Sequence, residues 1–321
     1  MPTIHEIARE AEVSIATVSR VFSNHPNVKE ELRERVLRVA RAHDYYPRLS
    51  NRRRTVILIT PSRSEHPVQN YVDMVVSHLA EASSRRGYRI EILSEDGLDK
   101  LDNTQFCGAI QISSGESPWK NWGRRFDAPL VIIDREVPGG FEQVTSVRSN
   151  EEQGMELAID YLYRLGHRRI GCLISNSRLG NPQLRMRCLE ESLTRRGLPA
   201  ESYFLRLASE VEYVEEVGKL LRHGVDAIFA PGGSGGIITA YALSLYGKRI
   251  PEEISLISSE RVMVSRYCVP SQTTITQDYS KLASIAVDAI DAALRRDSFP
   301  RETILDYQLI ERNSVIDRKP A

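Results

Sequence analysis

The 321 residues include 43 Lys or Arg and 43 Asp or Glu, so the formal net charge is zero on a chain long enough for a small domain plus a larger core. A uniform chain of that balance would argue against nucleic acid, yet residues 1–54 hold eleven Arg or Lys and seven Asp or Glu, a net of +4 that leaves −4 for the rest, so the positive end suits DNA. Cys107, Cys172, Cys188 and Cys268 lack the spacing of a zinc site or disulfide frame, and the absence of a signal-like start or a long apolar run points to a soluble protein of a reducing cytoplasm.

The spacing predicts a helix over 3–11, with Thr3 as N-cap and Glu6 completing a capping box, and a buried stripe of Ile4, Ile7, Ala8 and Ala11. Glu12 and Val13 make a turn. A second helix is expected over 13–24, where Val13, Val18, Val21 and Phe22 recur at helical spacing and leave Ser14, Ile15, Ala16, Thr17, Ser19, Arg20 and Ser23 on the open face. That face suits a major groove: short side chains permit close approach, hydroxyls reach phosphates and base edges, and Arg20 is the long donor for guanine. A third helix over 29–43 faces the other two through Leu32, Val36, Leu37, Val39 and Ala40. The plainer alternative is a small helical bundle that binds no nucleic acid.

These residues carry a family resemblance. The run Thr3-Ile4-x-Glu6-Ile7-Ala8-x-x-Ala11-x-Val13-Ser14-x-Ala16-Thr17-Val18-Ser19-Arg20-Val21, followed by Val28, Arg33, Val36 and Tyr45-x-Pro47, closely resembles the headpiece of the lactose repressor (LacI/GalR) family. The resemblance implies a homodimeric transcription regulator that reads a pseudo-palindromic operator and binds a small effector, a sugar or sugar derivative, in its core. By position it makes Ile15, Ala16 and Arg20 base-reading residues, and Thr3, Ser14, Thr17, Ser19, Ser23, Asn24 and Asn27 phosphate-contacting ones. The headpiece is placed at 1–47.

Residues 48–54 form a short basic linker that departs from the family pattern. Relatives have a longer connection that folds into a hinge helix on DNA and wedges a leucine into the minor groove; here only a displaced Leu49 remains. Arg52, Arg53 and Arg54 are expected to bind along the backbone or in a narrow minor groove, the alternative being a solvated tether.

Beyond the linker, strands are expected at 55–60, 88–93, 107–112, 130–134, 169–174, 203–207, 226–230 and 254–258, alternating with helices at 68–86, 151–165, 182–196, 211–222, 237–246 and 280–295. Apolar strands between helical patterns read as parallel sheets covered on both faces. The resemblance continues through Val131-Ile132-Ile133-Asp134-Arg135, Leu165-Gly166-His167-Arg168-Arg169-Ile170, Ile250-Pro251-Glu252-Glu253-Ile254-Ser255 and Pro270-x-x-Thr273-Thr274-Ile275. It implies an all-α helix-turn-helix headpiece followed by a two-lobed α/β core like that of periplasmic sugar-binding proteins, over 55–321. Lobe 1 is expected at about 55–153 plus 279–305, lobe 2 at about 154–278 plus 306–321. The first lobe should be trimmed over 96–106, and His167 is expected to be a structural turn residue.

In the cleft, the resemblance places Arg185, Asp134 and Gln277 on the effector, with Tyr71 stacked on it. Three departures disturb the pattern: Gly232-Gly233 replaces an Asn-Asp pair, Ser258-Ser259-Glu260 replaces Gly-x-Asp, and Asn150 replaces an Asp. The glycines would leave bare amides and Ser234 at a helix N-terminus and Arg185 less neutralised, so an effector with a phosphate or carboxylate beside its hydroxyls is expected, with Glu260 too distant or too well paired to repel it.

The same loop, Pro231-Gly232-Gly233-Ser234-Gly235-Gly236, has the Gly-x-Ser-x-Gly form of a hydrolase elbow. That reading needs a histidine after the serine, and all seven histidines precede Ser234. A phosphate-binding loop would need Lys-Ser/Thr after the glycines. No catalytic residue, cofactor or metal is therefore expected. The other function class is a small-solute-binding protein of the same fold whose effector response is lost or altered; an intact headpiece argues for the regulator.

Overall fold

The computed structural model describes residues 3–22, 28–43, 45, 54–61, 71–112, 121–137, 141, 143–176, 181–202 and 204–319. Three helices open the chain, α1 (Ile4–Glu10), α2 (Ile15–Phe22) and α3 (Glu30–Ala42). Ile7, Ala8, Ala11, Val18, Val21, Val36, Ala40 and Tyr45 form their common core, and Val13, Phe22, Leu37 and Val39 pack against it. Helix α2 begins two residues later than its apolar pattern suggests. The Ser14 hydroxyl accepts from the Thr17 amide at 3.0 Å, so Ser14 serves as cap and Val13 stays in the turn, where Glu12 takes a left-handed φ of 53°.

The core runs β1 (Thr55–Thr60), α4 (Tyr71–Arg85), β2 (Arg89–Ser94), β3 (Gly108–Ile112), α5 (Trp122–Arg125), β4 (Leu130–Ile133), β5 (Val144–Ser149), α6 (Glu151–Arg164), β6 (Ile170–Ser175), α7 (Pro182–Arg195), β7 (Leu205–Ala208), α8 (Tyr213–Arg222), β8 (Ala227–Ala230), α9 (Gly235–Leu245), β9 (Ser255–Ser259), α10 (Val262–Tyr267), β10 (Thr273–Thr276), α11 (Tyr279–Arg295), β11 (Glu302–Leu305) and β12 (Gln308–Ile310). Two six-stranded sheets result, ordered β11-β5-β4-β3-β1-β2 and β12-β10-β9-β8-β6-β7. Among the described residues every strand pair is parallel except β12 with β10, which is antiparallel.

The strands read as unbroken apolar runs because both faces are covered. In β1, Val56 and Leu58 face the cluster built with α4 and α11, while Ile57 and Ile59 face Leu101 and Trp122. In β6, Cys172 and Ile174 pack on α6 and α7, and Leu173 on α8 and α9. Each such side chain contributes about 1.5–3 kcal/mol by burial. Cys107, Cys172 and Cys188 are buried small apolar groups and Cys268 is half-buried; all four are free thiols.

The sequence pattern misses β5, β10, β11 and β12. They are three to six residues long, and β5 and β10 to β12 carry Thr, Ser, Arg, Glu or Gln among their apolar positions, which breaks the run that identifies a covered strand. In the segment expected to be trimmed, Glu95–Asn103 forms two short 3-10 turns kinked at Gly97. His167 is a turn residue, fully buried, with Nδ1 3.1 Å from Asp226 Oδ1 and Nε2 3.1 Å from the Ile316 carbonyl. The start of the helix expected from 68 lies outside the described residues. Among those described, no helix is long and apolar enough to cross a membrane.

The chain passes between the sheets three times, at 149–151, 276–279 and 305–308. The crossings are bound to one another: the Asn150 amide donates to the Leu305 carbonyl at 2.8 Å, Asn150 Nδ2 to Asp306 at 2.8 Å, and the Tyr307 amide to Gln153 at 2.8 Å. They frame the cleft between the lobes.

Candidate functional site

The headpiece presents one face of α2. Ile15, Ala16, Ser19 and Arg20 are exposed and fall within about 140° of one another around the helix, while Val18 and Val21 are buried on the opposite side. Thr17 lies at the edge, half-buried, its hydroxyl 2.9 Å from that of Ser14. Thr3 and Glu6 form the capping box of α1, with the Thr3 amide donating to Glu6 at 2.6 Å; those hydrogen bonds lower the Glu6 pKa. Ser23, Asn24, Asn27, Leu49, Arg52 and Arg53 lie outside the described residues. Arg54 belongs to the core: its carbonyl accepts from the Arg89 amide at 2.8 Å, and its guanidinium lies over the turn at Gly87. Arg33, buried on α3, is held 3.5 Å from Glu30.

In the cleft, Asp134 follows β4 with a left-handed φ of 52°, a conformation that costs a non-glycine residue strain and marks a constrained site. The turn aims its carboxylate at three donors. Gln277 Nε2 donates at 2.9 Å, the Ser149 amide at 2.6 Å, and the Tyr71 hydroxyl forms a short bond. Gln277 also reaches Ser149 Oγ at 2.6 Å. Burial raises the Asp134 pKa, opposed by the bonds from Tyr71 and Ser149; burial and the adjacent Asp134 charge push the Tyr71 phenol well up.

Beside this group, Arg185 on α7 is bound by Glu151 at both carboxylate oxygens, Nε to Oε2 at 2.6 Å and Nη2 to Oε1 at 2.8 Å. Tyr307 donates to the same carboxylate at 2.8 Å. Burial alone would raise the Glu151 pKa, and the Arg185 charge outweighs it and lowers it. Arg135, whose own pKa burial lowers, interacts electrostatically with Tyr71, Asp134, Arg185 and Glu151. Two arginines thus face two carboxylates.

Of the expected cleft residues, the structure joins Tyr71, Asp134 and Gln277 in one network. It sets Arg185 against Gly232, where a Cβ would lie 2.6 Å from Nη1. The expected bare amides are not found: the Gly232 amide donates to Ser259 Oγ at 2.7 Å, and the Ser234 amide to Glu210 at 3.0 Å. This chain's own carboxylate takes the place of an anion at the start of α9. Nor is Arg185 less neutralised, because Glu151 compensates it. Ser234 Oγ accepts from Arg261 at 2.8 Å, a cation that cannot act as general base. Glu260 is buried and paired with Arg312 at 2.8 Å and with Thr274, leaving Oε1 without a hydrogen-bond partner.

Sequence reasoning missed Ser149, Glu151 and Tyr307. Glu151 reads as an acid in a first helical turn, and Tyr307 sits between two strands too short to detect; the one signal was an acid directly after the Asn150 cap.

Residues 3–48 match the family of bacterial regulatory proteins, lacI family, and residues 159–315 the periplasmic binding protein-like domain. The chain is 23% identical to the probable HTH-type transcriptional repressor ExuR of Bacillus subtilis (strain 168), over 98% of each chain. Its fold is similar to that of a transcriptional regulator CelR–cellobiose complex, with a TM-score of 0.72 at 22% identity, covering 98% of this chain and 100% of that one. It is also similar to that of the lac repressor dimer bound to operator and the anti-inducer ONPF, with a TM-score of 0.68 at 19% identity, covering 98% and 99%. With a relative matched from end to end, the chain joins a headpiece of the lacI family of bacterial regulatory proteins to a periplasmic binding protein-like core.

Proposed function

We propose that this chain is a cytoplasmic, homodimeric transcriptional repressor of carbohydrate-utilisation genes, not an enzyme, that binds a pseudo-palindromic operator through α2 and has its operator affinity set by a small effector in the cleft. The observation that carries the reading is the exposed face of Ile15, Ala16, Ser19 and Arg20 on a headpiece with its own buried core. Two copies are needed, since a helix this short reads too few bases alone. Base reading is assigned to Ile15, Ala16 and Arg20, phosphate contacts to Thr3, Ser14, Thr17, Ser19, Ser23, Asn24 and Asn27, and backbone charge to Arg52 and Arg53.

The cleft supports a neutral, polyhydroxylated effector in preference to the anion expected from the glycines. Its charges already cancel, Arg185 is engaged by Glu151, and the remaining groups are hydroxyls, an amide and the paired carboxylates of Asp134 and Glu260. The regulator whose fold is shared was solved with cellobiose, which favours the same class.

The test is enrichment of a duplex from a random library by the full chain, then titration of that duplex. Arg20→Ala is expected to lose about 1–3 kcal/mol of specific binding. Enrichment of no sequence, or unchanged affinity in that variant, overturns the DNA assignment. Calorimetric titration with neutral sugars against sugar acids and sugar phosphates tests the effector class, and preference for an anion overturns it.

A further inference from the structure

One helix begins in the cleft and ends against the headpiece. Asp278 caps α11 directly after Gln277, the residue that binds Asp134, and 17 residues later, about 25 Å along the helix axis, its far end meets α3. There Arg296 Nη1 lies 3.0 Å from Glu30, Arg41 Nη2 lies 3.2 Å from Asp297, and Arg41 also donates to the Arg295 carbonyl at 3.4 Å. Helix α3 shares its core with α2, so whatever fixes α3 fixes the reading face.

A second observation concerns the backbone. Helices α4, α6, α7, α8 and α9 are followed by glycines at positive φ, Gly87, Gly166, Gly197, Gly224 and Gly247, whereas α11 ends on Arg296 at φ 58°. Glycine takes that conformation without strain and an arginine does not. A strained arginine where five other helices of the core use glycine is explained when its side chain has work to do, and this one reaches Glu30.

We propose that Arg296 and Asp297 are positioning residues for operator reading: they hold α3 at a fixed angle to the core and, being carried by α11, transmit the state of the cleft to the reading helix. This rests on the DNA-binding function proposed above. The shortness of the connection fits it, since eight residues separate Tyr45 from Arg54. Such a tether brings the headpiece to the core, and the ion pairs select one orientation.

The decisive variant is Arg296→Gly, which supplies the residue that the backbone prefers and removes the guanidinium. Its thermal midpoint is expected to equal or exceed the wild-type value. Its affinity for the enriched duplex is expected to fall about two- to fivefold, the range supported by an exposed ion pair, and its discrimination against duplexes with one or two base pairs inserted between half-sites is expected to relax. Arg296→Lys, which keeps a cation on the same backbone, should retain more of both than Arg296→Gly does. Without DNA, trypsin should nick the linker at Arg52 and Arg53 faster in Arg296→Gly than in wild type. Wild-type affinity, spacing preference and nicking in Arg296→Gly, or an Arg296→Lys variant that loses as much as Arg296→Gly, overturns the proposal. Should the wild type enrich no duplex, the function proposed above fails, and the nicking rates alone decide whether the headpiece is held.

Discussion

Glu151 embraces Arg185 with both carboxylate oxygens, at 2.6 and 2.8 Å, at the point where the chain crosses between the lobes. The geometry is the bidentate fork of a strong charge-assisted pair, and both side chains are about 15% exposed or less, so water screens it weakly. Arg185 is the residue that the resemblance to the family places on an effector. Its grip is already taken by a residue of its own lobe.

Glu151→Gln should therefore act on stability and on selectivity together. Removing one partner of a buried pair leaves the other charge uncompensated, and chemical unfolding should show a loss of about 3 kcal/mol at pH 7. The freed Nε and Nη2 should then bind a ligand carboxylate: a hexuronic acid is expected to bind the variant at least about tenfold more tightly than it binds the wild type, with the parent hexose as control. Equal binding of the acid to both proteins would show that Glu151 does not guard Arg185.

The two cleft carboxylates should respond to pH in opposite senses. Arg185 lowers the Glu151 pKa below its ordinary value of 4.5 despite burial, so the stability it contributes is complete above that value and lost as pH falls through the folded one. Burial raises the Asp134 pKa above 3.8, so its contribution is complete below that value and lost as pH rises through the folded one. Unfolding free energies measured from pH 3 to 7 should show Glu151→Gln approaching the wild type as pH falls, and Asp134→Asn gaining on the wild type as pH rises. Parallel profiles would contradict both assignments.

Much of this was legible in the sequence, for identifiable reasons. The capping box of Thr3 and Glu6, the stripe of Val18 and Val21 and the covered run of β1 are local patterns whose period states which face is buried. Tyr71, Asp134 and Gln277 were found through positions shared with a family. What stayed hidden depends on distant pairing: Glu210 at the start of α9 comes from 24 residues upstream, and Tyr307 meets Glu151 from 156 residues away. The premises of the anion expectation failed there, because a deleted side chain was visible at Gly232 and Gly233 while the carboxylates compensating Arg185 and the α9 amides were not.

Charge in the linker should appear as salt dependence. Replacing Arg52 and Arg53 by alanine is expected to lower the slope of log affinity against log salt by about 0.9 for each phosphate that the variant no longer neutralises, with little change in sequence preference. Leu49→Ala should matter less than either. An unchanged slope would mean that the arginines do not touch the backbone, and a large loss on Leu49→Ala would mean that the leucine acts as a wedge.

The crossing at Tyr307 gives a prediction that changes sign with background. A Cβ at Gly154 would lie 2.6 Å from Tyr307 Cδ2 and 2.9 Å from Cγ, closer than carbon atoms pack. The ring cannot retreat, since its hydroxyl donates to Glu151 at 2.8 Å and its backbone is bound on both sides by Gln153, at 2.8 and 3.2 Å. Gly154→Ala should therefore destabilise the chain by about 1–3 kcal/mol through overpacking, offset by up to about 1 kcal/mol because alanine suits the interior of α6 better than glycine does. In a Tyr307→Ala background the clash is gone and only the helical preference remains, so the same substitution should become stabilising. Unfolding of the four proteins of this cycle measures the reversal; a Gly154→Ala effect of the same sign in both backgrounds would show that the glycine is there for some reason other than room for Tyr307.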